Sequence, residues 1–254
     1  MKRRRRRVHL VAHAAIGLLG AAHAAHAAKP STLELPSGAQ VVYQPVKDKN
    51  HVYKPVVLLP YTGGSAQDLY RWKYRSYFNS HPKSDLLLIL PPEEGDYDDY
   101  ETGEDWAETV AEWEGELEEM LDETAERFAL DQKSIVLAGH SMGGDMAWAL
   151  MQRKPDRYTG AVIMGSRCNW RESGSPKKLA KRAARVVFSV GTKEMSVRRK
   201  GAELARGLLE KFGVRVRWDE TPGGHVPAPG KLFFEQIDFV LNPPPIGDSL
   251  ASNE

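Results

Sequence analysis

Cysteine is almost missing: Cys168 is the single one in 254 residues. No intrachain disulfide can form, so stability has to come from an apolar core. Nothing near Cys168 marks an activated thiol, and it reads as a small apolar filler. Histidine is sparse too, with eight in all, four of them (positions 9, 13, 23 and 26) inside the first 28 residues. Neither an internal repeat nor an excess of one charge is present, the balance being 35 basic to 34 acidic residues. With 41% hydrophobic and 27% charged residues the composition is that of an ordinary soluble protein, and the length suits one α/β domain.

What the chain does have begins at its N-terminus. Met1-Lys2 and the run Arg3–Arg7 precede an Ala/Leu/Val/His stretch from Val8 to Ala28 that ends Ala25-His26-Ala27. A basic segment, an apolar segment and a small-x-small cleavage site are the parts of a secretory signal. Arg6-Arg7 before Val8-His9-Leu10 also allows a twin-arginine reading, though the usual preceding Ser or Thr is absent. The four histidines make this stretch a poor bilayer span. Domains are therefore expected as a signal over 1–28, one catalytic unit over 29–242 and a tail over 243–254, with export to the periplasm or medium. Removing the signal leaves 29 basic against 34 acidic residues, a balance that argues against a nucleic-acid partner.

Beyond the signal, short apolar runs alternate with helical patterns, as in a parallel sheet with crossover helices. Val56–Leu59, Leu86–Leu90, Ser134–Ala138, Ala161–Met164, Val186–Val190 and Val214–Trp218 predict six parallel strands, with Thr32–Val46 as an antiparallel start. Trp106–Phe128, Met142–Met151, Val197–Phe212 and Leu232–Leu241 predict helices. Glu93–Asp105 is dense in acid, but its spacing matches a calcium loop poorly and it reads as a solvated loop.

Gly139-His140-Ser141-Met142-Gly143 is a GxSxG pattern placed directly after a predicted strand and before a predicted helix. That setting is what a nucleophile elbow needs: the serine sits in a sharp turn, and the flanking glycines relieve crowding. The helix N-terminus then brings the Met142 N–H beside an oxygen that turns negative during attack. Ser141 needs a base, and in this chain order the base follows the serine. His51 and His81 precede it, His140 is held in the elbow, and His225, in Pro222-Gly223-Gly224-His225, lies downstream. The orienting acid is expected after Val186–Val190, where Gly191-Thr192-Lys193-Glu194 offers Glu194, with Asp219 and Glu172 as alternatives. A second oxyanion donor is expected from Pro60-Tyr61-Thr62-Gly63-Gly64: the Thr62 N–H, helped by the Tyr61 hydroxyl.

On these segments, together with Lys154–Tyr158, the chain from Val56 to Val240 resembles the α/β-hydrolase superfamily. Within it the likeness is to compact phospholipase/carboxylesterases and to secreted enzymes of polyhydroxybutyrate-depolymerase or feruloyl-esterase type. The resemblance implies a mostly parallel sheet flanked by helices and cofactor-free, metal-free hydrolysis of a small carboxylic ester; no stable membrane insertion is expected once the signal is removed. Thioesters, peptides and a noncatalytic scaffold are the rival readings. Two departures stand out: Pro60-Tyr61 replaces the usual His-Gly, and Glu194 stands where Asp is commoner. The connection Gly165–Lys181 is too short for a large lid, and Trp170 within it reads equally as a wall of the cleft or as core packing.

Overall fold

The computed structural model describes residues 29–96, 98 and 103–242. The expected signal and tail lie outside the described residues. Eight strands form one sheet in the order β1-β2-β4-β3-β5-β6-β7-β8. All six expected parallel strands are present: β3 (Lys54–Leu59), β4 (Leu86–Leu90), β5 (Val136–His140), β6 (Gly160–Met164), β7 (Arg185–Gly191) and β8 (Arg215–Thr221). From β3 to β7 nearly every strand residue is buried, because helices cover both faces of the sheet. The expected antiparallel start is two strands rather than one, β1 (Ser31–Glu34) and β2 (Gln40–Tyr43). The chain reverses between them through Gly38, at φ 85°, and β2 runs antiparallel to both β1 and β4.

One face is covered by α3 (Gly103–Arg127), α4 (Met142–Arg153), α5 (Ser175–Lys181) and α6 (Ser196–Lys211), whose inward residues include Trp113, Leu117, Trp148, Leu179 and Ala205. The other is covered by α7 (Gly230–Leu241) and by a helical stretch between β3 and β4: α1 (Ala66–Leu69), a π-helical turn (Tyr70–Tyr74) and α2 (Arg75–Ser80). The Tyr74 ring stacks on Phe233 at 4.0 Å, joining this stretch to α7. Sequence periodicity did not anticipate the stretch or α5. The signal for the first was present, with Tyr70, Tyr74 and Phe78 at four-residue spacing and all buried. Helix α5 turns only Leu179 and its first two residues inward, too few to set a period.

Cys168 is fully buried, and burial pushes its thiol pKa up, so it stays neutral and packs as an apolar group. The short connection after β6 holds no lid, only a loop leading into α5.

Candidate active site

Strand β5 ends at His140 and α4 begins at Met142, so Ser141 alone makes the turn between them. Its backbone lies at φ 59°, ψ −119°, a conformation that side chains rarely adopt. The turn is held by the Ser141 N–H donating to Met164 O at 2.9 Å. It also demands close approach: a methyl on Gly143 would run into the Pro60 carbonyl oxygen, and one on Gly139 into the Gly143 backbone. Helix α4 begins directly after the serine, with Met142 as its first residue.

Behind the serine, Asp145 is 4% exposed. Its Oδ1 accepts from Ser166 Oγ (2.6 Å), Arg167 N (2.8 Å) and Cys168 N (2.9 Å). Its Oδ2 meets the Arg167 and Arg198 guanidinium groups at 3.4 and 3.9 Å. This carboxylate pins the loop after β6 against the elbow helix. Asp145 carried no sequence signal beyond its nearness to GxSxG.

Glu194 and His225 come from neighbouring strand ends. Thr192 N donates to Thr221 O (2.8 Å) and Lys193 N to Gly223 O (2.7 Å), which laces the loop after β7 to the loop after β8. Across this lacing His225 Nδ1 stands 3.0 Å from Glu194 Oε2 and 3.2 Å from Oε1. The Glu194 side chain is fully buried, and its Oε1 also accepts the Met195 N–H at 3.0 Å. The alternatives are elsewhere. Asp219 is engaged by Arg217 and by Gln236, each at 2.9 Å, and Glu172 is exposed in the loop before α5.

Pro60–Gly64 forms a tight turn in which Tyr61 N donates to Gly64 O (3.1 Å) and Gly64 N to Tyr61 O (3.0 Å). The Tyr61 amide is thereby occupied, and the tip of its ring folds over Gly64, where a Cβ would collide with it. Among the described residues the Thr62 N–H has no backbone acceptor. The turn is braced from β4: Gly63 N donates to Gly95 O at 2.8 Å, and a methyl on Gly95 would strike Met142 Cε. The acid-rich segment is therefore not one solvated loop. Glu94 and Gly95 bridge to the turn, and Glu104 and Asp105 open α3, while its remaining acids and tyrosines lie partly outside the described residues.

These elements border a cleft of about 250 Å³ lined by Tyr61, Leu69, Trp72, His140, His225, Val226 and Pro227. The wall tryptophan is Trp72, not Trp170. Trp170 packs against the core beside α4, its carbonyl accepting from Trp148 Nε1 at 2.9 Å. The His140 ring packs on that of His225, with centroids 4.5 Å apart. Burial, reinforced by electrostatic interaction with His225, Arg198 and Lys73, holds the His140 pKa down at about 3, so this imidazole is neutral. Its Nε2 is buried without a partner. Ser141 Oγ is 7% exposed with its residue and makes no hydrogen bond among the described residues. No group of three metal-binding side chains is found among the described residues.

With the geometry in place, comparisons with known proteins bear on the fold. The family model described as "Hydrolase_4: Serine aminopeptidase, S33" matches residues 102–206, a stretch that includes the elbow and Glu194 and ends before His225. Among solved structures, FphF, a fluorophosphonate-binding serine hydrolase of Staphylococcus aureus, superposes with a TM-score of 0.58 at 17% identity, covering 84% of this chain and 98% of its own. The chain has the α/β-hydrolase fold. A ferulic acid esterase gives a TM-score of 0.57 at 13% identity, covering 84% of this chain and 96% of its own. Esterase PE8 gives 0.55 at 19% identity, covering 83% and 97%. No curated protein sequence matches significantly.

Proposed function

We propose that this α/β-hydrolase cleaves small carboxylic esters through an acyl-enzyme on Ser141. The observation that carries the proposal is a strained serine elbow whose His140 lines one cleft with His225, a histidine paired with a buried carboxylate. In the reaction Ser141 Oγ attacks the ester carbonyl as His225 Nε2 takes its proton. Glu194 receives the Nδ1–H, fixing the tautomer and stabilising the imidazolium. The N–H groups of Met142 and Thr62 hold the oxyanion, and the Tyr61 ring forms the adjacent wall. The alkoxide departs with the proton returned by His225, and water then cleaves the acyl-enzyme by the same steps in reverse. The apolar wall suits an ester better than a peptide N-terminus: no carboxylate lines the cleft among the described residues to receive an ammonium group. We propose further that the protein is exported, on the N-terminal pattern of basic, apolar and small-x-small segments.

The test is incubation of the purified protein with a fluorophosphonate probe and with p-nitrophenyl acetate, beside Ser141→Ala. Labelling and turnover are expected in the parent and lost in the variant. A parent that neither labels nor turns over would favour a noncatalytic scaffold.

A further inference from the structure

A second recess lies on the far side of the π-helical turn from the catalytic cleft. Leu69 and Trp72 face the cleft, whereas Tyr70 and Arg71 face this recess, which holds about 480 Å³ between the turn, α2 and the β1–β2 hairpin. Its charged lining groups are all cationic: Lys29, Arg71 and Arg75. Arg71 is balanced by Asp68 at 2.6 Å, while Lys29 and Arg75 have no ion pair among the described residues. Gln40 and Asn79 add amide groups to the same wall. Tyr70, 6% exposed, also lines the recess, and its hydroxyl has no hydrogen-bond partner among the described residues. Burial raises its pKa to about 12, against the pull of nearby Arg75, so the hydroxyl keeps its proton and is a donor.

A buried phenol donor beside two uncompensated cations, in a chain whose residues 29–254 carry more acid than base, is an arrangement for an anion. We propose that this recess is a binding site for a small oxyanion-bearing molecule, a phosphate or a carboxylate. Arg75 and Lys29 supply charge, the Tyr70 hydroxyl donates to an oxyanion oxygen, and Gln40 and Asn79 meet hydroxyl groups on the rest of the ligand. The site is separate from Ser141 and does not depend on the reaction proposed above.

The experiment is isothermal calorimetry of the purified protein at low ionic strength with inorganic phosphate, glucose 6-phosphate and glucuronate, alongside p-nitrophenyl acetate hydrolysis. Saturable binding is expected, with Kd raised about tenfold by Arg75→Gln or Lys29→Gln and about threefold by Tyr70→Phe, as loss of a charge-assisted or a neutral hydrogen bond implies. Binding by the phosphates alone or by glucuronate alone supports the site and identifies its anion. Arg206→Gln, on α6, should leave Kd unchanged, and Arg75→Gln should leave hydrolysis within about twofold if the recess is separate from the cleft. The proposal is overturned by no saturable binding below about 10 mM, by affinity that the three recess variants leave intact, or by an equal loss in Arg206→Gln.

Discussion

Glu194 is the residue whose chemistry is easiest to isolate. Its carboxylate is buried, and Glu194→Gln keeps the shape while removing the charge that, in the proposed reaction, favours one His225 tautomer and its imidazolium. Turnover of p-nitrophenyl acetate should fall by about 10³- to 10⁴-fold. Asp219→Asn, engaged by Arg217 and Gln236 away from the cleft, should change kcat by less than about threefold. The reverse pattern would move the acid to Asp219. His140 offers a second measurement, in stability rather than rate. Its folded pKa of about 3 lies below the unfolded value of about 6.5, so the unfolded chain binds the proton first. The neutral ring stabilises the fold fully above pH 6.5, and that contribution falls by about 1.4 kcal/mol per unit as pH drops toward 3. Urea unfolding of the parent and His140→Phe across that window should show a shallower acid slope in the variant; equal slopes would refute it.

At the scale of elements, the elbow depends on β3 and α4 approaching closer than side chains allow. Gly143→Ala would drive a methyl into the Pro60 carbonyl, so we expect destabilisation of about 1–3 kcal/mol and loss of turnover, read by chemical denaturation and by the ester assay. Unchanged stability would mean that the turn gives way easily. The elements themselves were largely legible in the sequence, because central strands are continuous apolar runs and α3, α4, α6 and α7 each turn apolar residues toward the sheet. Legibility failed where tertiary context decides. The π-helical turn has its apolar residues at a spacing shared with ordinary helices. Gly95 stands in a run of acids with no signal of its own, yet it is where the Pro60–Gly64 turn and Met142 meet. Likewise, pairing of Glu194 with His225 depends on two loops 31 residues apart being laced together, which no local pattern records.

At the scale of the whole molecule, the proposed export rests on the N-terminal sequence pattern. Once Lys2 and Arg3–Arg7 are removed, acid exceeds base, and no helix among the described residues is long and apolar enough to cross a membrane. Expressed from the full-length gene in a secreting bacterial host, the protein should be recovered outside the cytoplasm with an N-terminus near Ala28, as read by intact-mass spectrometry. Retention of Met1 in a cytoplasmic product would refute export.

Asp145 places Ser141 inside a larger cooperative unit. One carboxylate holds the amides of Arg167 and Cys168, which have no strand partner, and faces Arg198 at the start of α6. Arg198 in turn donates to Gly165 O at 2.8 Å, closing the circle around the end of β6. The loop after β6 is irregular in shape but thermodynamically tied to the elbow helix, so it opens only when the elbow opens. Precision at Ser141 thus belongs to a foldon of three segments that share a single anion.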